Sequence, residues 1–260
     1  MIEATPADQP GRNSGQRREQ PRTETDREIR AKARQLLIDR GESAVTLRAI
    51  ARALGITAPA LYRYYASRED LIRYVCLDVC ADLAADLADE AGRYSDASPA
   101  EKFFEVCRGF RRWSVAHPRE FSLVFASPPP DEGRSDDAMY ATTMEPFGRV
   151  FLNVAGQVVA SNAVQIPDRG PVPEGMRHEL EAFREAFVHG LAYQDIEVPA
   201  DTLGLGAMYF MLEFWTRLYG HVALEVFGRF PFQVSNTEPL FESMLTELAA
   251  QIGLSGAGVE

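Results

Sequence analysis

Residues 46–71 read TLRAIARALGITAPALYRYYASREDL, and the start-stop signals of three helices fall inside them. Thr46 is a good N-cap, and Leu47, Ile50, Ala51 and Leu54 share one helical face behind it. Gly55 breaks that helix. A second short helix is expected over 58–65, and Ser67 caps a longer one with Asp70 in its acidic first turn. Two helices set at a fixed angle by a tight turn form a helix-turn-helix, whose second helix fits the major groove while the first braces across the backbone. That arrangement needs a small residue where the helices touch, a glycine at the turn and apolar anchors on the second helix. Ala51, Gly55, Ile56 and Leu61 meet those needs. The same spacing also fits a helical hairpin that never meets nucleic acid.

Upstream, Ile29, Ala33, Leu36 and Leu37 recur at helical spacing from about Thr25, and Gly41 ends that helix. Residues 1–22 are rich in Pro, Gly, Gln and Arg and nearly lack apolar side chains, which predicts a disordered arm. It is either inert or a carrier of Arg12, Arg17, Arg18 and Arg22 toward the minor groove and phosphates. Downstream, the helix capped by Ser67 continues through Ile72, Cys76, Val79, Leu83 and Leu87 to Gly92. Further helices are expected over 99–116, 118–126, 138–161, 176–193, 201–228 and 238–252, with loops over 127–136 and 166–175. Period-2 alternation is scarce and no βαβ rhythm occurs, so the fold class is all-α. The expected organisation is an arm (1–22), a helix-turn-helix domain (23–70), a helical regulatory and dimerisation domain (71–254) and a flexible tail (255–260).

The 260 residues carry a net charge of −11, spread unevenly. Residues 1–75 hold 14 Lys+Arg against 10 Asp+Glu, whereas the remaining residues hold 13 against 28. A basic head on an acidic body is the polarity of a protein that turns only its head to phosphates. The most apolar run, 203–212, is too short to span a membrane, and the N-terminus has no apolar signal core. Cys76, Cys80 and Cys107 suggest no disulfide framework, so a reducing cytoplasm is expected.

Residues 46–71 closely resemble the DNA-binding domain of the TetR family of bacterial regulators. Thr46-x-x-x-Ile50-Ala51, Gly55-Ile56, Leu61-Tyr62-x-Tyr64-Tyr65 and Arg68-Glu69-x-Leu71 each match the family pattern at its spacing. The resemblance implies a repressor that binds a palindromic operator as a homodimer and is released by a small-molecule effector. It gives Thr46 and Thr57 to phosphates at helix N-termini. It gives Tyr62 and Tyr64 to the DNA backbone, and Arg68 to a phosphate from the start of the long helix. Base-edge contacts would come from Arg48, Ala58, Pro59, Ala60 and Arg63. Only Arg48 and Arg63 can pair bidentately with guanine, while the other three offer apolar contact, for example to thymine methyls. An ion pair with Glu69 or Asp70 is the competing role for Arg63.

One such module reads few base pairs, so a dimer interface is expected. The stretch 203–228 is apolar nearly all round, and together with 238–252 of each chain it would build a four-helix interface. Burial wholly inside one subunit is the alternative. Trp215, Gly220 and His221 also resemble the Trp-x-x-x-x-Gly-His signature of the C-terminal ligand-binding domain of one TetR subfamily. Candidates for lining an effector site are Phe103, Phe110, Trp113, Phe121, Phe147, Phe151, Phe183, Phe187 and Trp215, although aromatic residues at helical spacing are more often core. Cys76 and Cys80 stand one turn apart without a third ligand, which favours buried apolar roles over a metal. No cofactor is implied. No P-loop, Gly-x-Ser-x-Gly, His-Glu-x-x-His or paired-cysteine zinc pattern is present, so an enzyme is not expected.

Overall fold

The computed structural model describes residues 16–126, 137–161, 172–198 and 203–253, with side chains from residue 24 and, in the second stretch, from 148. Among the described residues every regular element is helical. In chain order these are α1 (Gln16–Arg40), α2 (Leu47–Leu54), α3 (Ala58–Leu61), α4 (Arg68–Arg93), α5 (Pro99–Ala116), α6 (Pro118–Phe125), α7 (Asp137–Ala160), α8 (Arg177–Tyr193), α9 (Leu205–Val226) and α10 (Glu238–Gln251). Short 3₁₀ turns occupy Glu42–Ala44 and Glu174–Met176. The chain divides into two compact units, Met1–Cys76 and Leu77–Glu260, slightly past the boundary expected at 70/71.

In the first unit the core is Ile29, Ala33 and Leu37 of α1, Leu47, Ile50 and Ala51 of α2, Leu61 of α3, and Tyr65, Leu71 and Val75. Tyr65 is 2% exposed, and its hydroxyl donates to Asp26 of α1. Its ring meets Tyr74 edge-on, 5.6 Å between centroids. A buried phenol needs such a partner, and this one ties the end of the helix-turn-helix to α1. Thr46 caps α2 as expected and Thr57 caps α3, their hydroxyl oxygens accepting from the backbone N–H of Ala49 (3.1 Å) and Ala60 (3.3 Å). Gly55 adopts φ +68°, and α2 closes with Ile56 N donating to Ala51 O (3.0 Å) and Gly55 N to Arg52 O (3.4 Å). That is the Schellman pairing, with a glycine where its left-handed residue belongs.

Three expectations about element ends need correction. The helix preceding the turn starts at Gln16, not near Thr25, so the part of the expected disordered arm from 16 to 22 is helical. Gln16, Arg17, Arg18, Glu19 and Gln20 are good helix formers, whereas Pro21 is not, so propensity alone does not explain the early start. Second, α3 ends at Leu61, and the chain tightens through Arg63 N to Ala60 O (3.3 Å) and Tyr64 N to Leu61 O (2.9 Å). These are three-residue bonds of 3₁₀ type. Third, α4 runs through Gly92 to Arg93. A glycine stops a helix when it turns left-handed, and Gly92 is not among the positive-φ glycines. The expected loop 127–136, most of the loop 166–175, the arm arginines and the tail 255–260 lie outside the described residues or side chains.

In the second unit α5 packs against α6, α7 and α9, while α8 packs against α7 and α9. Ser98 and Glu101 form a reciprocal capping box at the start of α5, with Pro99 as its first residue. Val159 of α7, Leu180, Phe187 and Leu191 of α8, and Ala207 and Met208 of α9 form one core cluster. A Cβ at Gly156 of α7 would overlap the Leu191 side chain, so α7 and α8 approach closely there. Two arginine forks tie α5 to the last helices. Arg108 bonds Glu242 of α10 (Nη2 to Oε2, 2.7 Å), and Arg111 bonds Glu225 of α9 (Nε to Oε2, 2.8 Å). The buried face of α9 carries Phe210, Phe214, Leu218 and Val222, each one turn after the last.

Candidate nucleic-acid interface

The two capping threonines do more than start helices. Capping uses only acceptor lone pairs, so each hydroxyl keeps its proton to donate outward. Thr46, Arg48, Thr57, Pro59, Tyr62 and Arg63 are exposed, whereas Ala58, Ala60, Tyr64 and Arg68 are half-buried. Thr46, Leu47, Arg48, Tyr62, Ala66, Ser67 and Arg68 line one open groove of about 390 Å³. The fold therefore brings together residues from the start of α2, the end of the α3 turn and the start of α4. Tyr62 is 55% exposed, a large amphipathic side chain left in water beside that groove. Thr57, Ala58, Pro59 and Ala60 form the first turn of α3, next to the groove in sequence but not among its lining residues.

The competing role for Arg63 is not realised. Asp70 bonds Arg73 (2.7 Å) and the Ala66 backbone N–H (3.0 Å), and Glu69 faces Arg68 at 3.7 Å. Arg68, which the resemblance gives to a phosphate, turns its fork toward the protein. Its Nε donates to Val45 O (2.8 Å), and its Nη2 donates to both Glu42 O and Glu42 Oε1 (3.0 Å each). The fork points into the protein, where it meets Val45 O, Glu42 O, which also accepts from Val45 N (3.0 Å), and the Glu42 carboxylate. Glu42 was missed by sequence reasoning, and only the Arg-Glu sign complementarity hinted at it.

The aromatic candidates do not converge on one place. Phe110 and Phe121 are fully buried, and around the Phe110 ring stand Phe121, Phe125, Phe151 and Trp215, 5.7 to 6.2 Å between centroids. Trp215 stacks on Tyr219, whose hydroxyl donates to Phe125 O (2.7 Å). Phe103 meets Phe104 and Phe214. Phe183, 44% exposed, meets Phe187, which belongs to the α7–α8–α9 core cluster. Trp113 stacks on His117 (4.8 Å) beside a second open groove of about 280 Å³ lined also by Asp86, Asp89, Glu90, Arg93 and Arg112. The side chain of Phe147 lies outside the described residues.

His221 sits with Nε2 3.9 Å from Glu225 Oε2, between the rings of Phe230 and Phe241. Burial lowers its pKa below the ordinary 6.5, Glu225 opposes and Arg111 assists. Burial pushes the Cys76 thiol up to about 11, with Glu42 adding to the shift, and burial likewise raises Cys107. Thiols so raised are poor nucleophiles and poor metal ligands at neutral pH. Among the described residues no group of three His, Cys, Asp or Glu is placed to hold a metal, and no helix is long and apolar enough to cross a membrane.

A capped helix, a left-handed glycine turn and a short second helix define a helix-turn-helix. Residues 29–75 match the family of bacterial regulatory proteins named tetR, and residues 103–248 match the tetracyclin repressor-like C-terminal domain. The chain belongs to the tetR family, whose members are transcriptional regulators and not enzymes. It is 28% identical over 220 residues to the HTH-type transcriptional regulators Rv1816 of Mycobacterium tuberculosis and Mb1846 of Mycobacterium bovis, covering 83% of this chain and 86% of each relative. The crystal structure of SCO4313 superposes with a TM-score of 0.60 at 26% identity, covering 89% of this chain and 98% of that one. A TetR/AcrR-family regulator from Thermobifida fusca, 14% identical with a TM-score of 0.50, covers 91% of this chain and 100% of that one and shares the fold.

Proposed function

We propose that this chain is a cytoplasmic repressor that binds a palindromic DNA operator as a homodimer and is released by a small-molecule effector. The observation that carries the reading is the groove in which Thr46, Arg48 and Tyr62 present two hydroxyls and a guanidinium on one exposed face. Hydroxyls suit phosphate oxygens, and the Arg48 guanidinium suits a guanine edge. Thr57 and Tyr64 extend the backbone contacts. Ala58, Pro59 and Ala60 supply apolar contact to base edges, and Arg63 supplies the second base-reading cation. With so few hydrogen-bonding readers, part of the specificity rests on DNA shape.

The homodimer is supported by α9. Opposite its buried stripe run Leu212, Thr216, Gly220 and Leu224, with Leu212 37% and Leu224 41% exposed. A Cβ at Gly220 meets nothing within 4 Å among the described residues, which leaves room for a second helix on that face. The interface proposed is α9 with α10, whose Leu240 is 48% exposed. For the effector, the Phe110, Phe151 and Trp215 cluster is the proposed site, and Trp215 with Gly220 and His221 carries the likeness to the Trp-x-x-x-x-Gly-His type of ligand domain. An effector-independent regulator is the second reading, favoured by the ring-on-ring packing of that cluster.

Selection of duplexes from a random library, followed by gel shifts at several salt concentrations, tests the DNA reading. A palindrome with half-sites about one helical turn apart and a steep fall of affinity with salt are expected. Recovery of no preferred sequence overturns it. A thermal-shift screen of small apolar molecules then separates the two readings, because a true effector raises stability by mass action.

A further inference from the structure

We propose that Arg68 is a positioning residue of the DNA-reading corner, holding the turn ahead of α2 in place, and is not a ligand of phosphate. This rests on the DNA-binding role proposed above and concerns how the same surface is kept in shape. The Arg68 side chain is 31% exposed, and three of its hydrogen bonds point inward to Val45 O, Glu42 O and Glu42 Oε1. Glu42 O also accepts from Val45 N (3.0 Å), so the guanidinium and the 3₁₀ turn close on the same carbonyl. Val45 is completely buried, and the next residue is Thr46, whose hydroxyl caps α2. Position 48 follows within the first turn. The setting of Arg48 therefore depends on a turn whose Glu42 and Val45 carbonyls are held from α4.

The anchor is itself rigid. Ser67 Oγ accepts from Asp70 N (3.0 Å) while Asp70 Oδ2 accepts from Ala66 N (3.0 Å), a reciprocal cap that fixes the first turn of α4. Only a planar fork satisfies two carbonyls and a carboxylate at once, whereas an ammonium on a flexible stem does not. Glu42 also offsets the positive charge that a phosphate would seek.

Arg68→Lys and Arg68→Met separate the roles. Both variants are measured against the duplex selected by the unaltered chain, well below their melting temperatures, and amide exchange at Ala49 is followed in the DNA-free protein. A positioning role predicts that both lose about tenfold in affinity with unchanged salt slope, and that the Ala49 amide exchanges faster in both. A phosphate ligand predicts instead that Arg68→Lys keeps its affinity, while Arg68→Met reduces the salt slope by about 0.9; that result overturns the proposal. A lower melting temperature with unchanged affinity of the folded variants also overturns it. If the unaltered chain selects no duplex, the DNA reading fails, while unchanged Ala49 exchange in both variants sinks the clasp on its own.

Discussion

Arg48 stands exposed in the first turn of α2, on the groove that also holds Tyr62 and Thr46. Arg48→Ala is expected to weaken operator binding by about 1–3 kcal/mol and relax preference at one base pair. Gel shifts against single-base variants of the selected duplex check this, and an unaltered preference removes Arg48 from base reading. His221 supports a pH prediction. In the unfolded chain it takes a proton near 6.5, while in the fold burial holds it neutral to lower pH. The unfolded state thus binds more protons in that window, and stability falls as pH drops from about 6.5 through the lowered folded value. Glu225, which faces it, is also lowered: burial raises it, but the bonds from Arg111 and Thr237 win. Its contribution is lost in the same direction at lower pH, below the ordinary carboxylate value of 4.5. His221→Gln should flatten the first loss and leave the second, as read by thermal melts across pH; an unchanged profile would contradict this. The cap at Thr46 was legible in the sequence because cap and donor lie within one turn. The partners of Arg68 were not, because Glu42 and Val45 are 26 and 23 residues away.

At the scale of elements, the turn between α2 and α3 depends on one backbone angle. A Cβ at Gly55 would meet nothing within 4 Å, so space is not what the position demands. Its φ of +68° is. Gly55→Ala is expected to destabilise the chain by about 1–2 kcal/mol, and Gly55→Asn by less, because Asn tolerates the left-handed region. Denaturant unfolding of the two variants measures both, and equal losses would point to a cause other than φ. Helix starts were readable wherever Ser, Thr or Pro stood at the first turn, as for α2, α5 and α6. Helix ends were less so. Gly55 and Gly92 look alike in sequence, yet only Gly55 turns left-handed, and that depends on what the chain packs against next. The early start of α1 shows the converse, a helix that no apolar stripe announces.

At the scale of the whole molecule, the proposal of a homodimer predicts that Leu224→Glu yields a monomer by sedimentation, with cooperative operator binding lost and a melting temperature that is lower and no longer rises with protein concentration. A variant that stays dimeric places the interface elsewhere than on the outer stripe of α9. The helical periodicity was enough, by itself, to give an all-α chain with a helix-turn-helix, and the DNA-reading role of its head came from the likeness of residues 46–71 to the tetR family pattern. Each of these signals is local: a cap, a turn or an apolar stripe is complete within a few residues, and its hydrogen bonds do not wait for the rest of the chain. The tertiary structure alone decided that Arg68 turns inward, that the aromatic candidates divide among separate clusters, and that α9 buries Phe210 and Phe214 while leaving Leu212 and Leu224 outside. Those outcomes depend on which distant carbonyls lack donors and which apolar faces close on each other, and a helical pattern leaves both choices open.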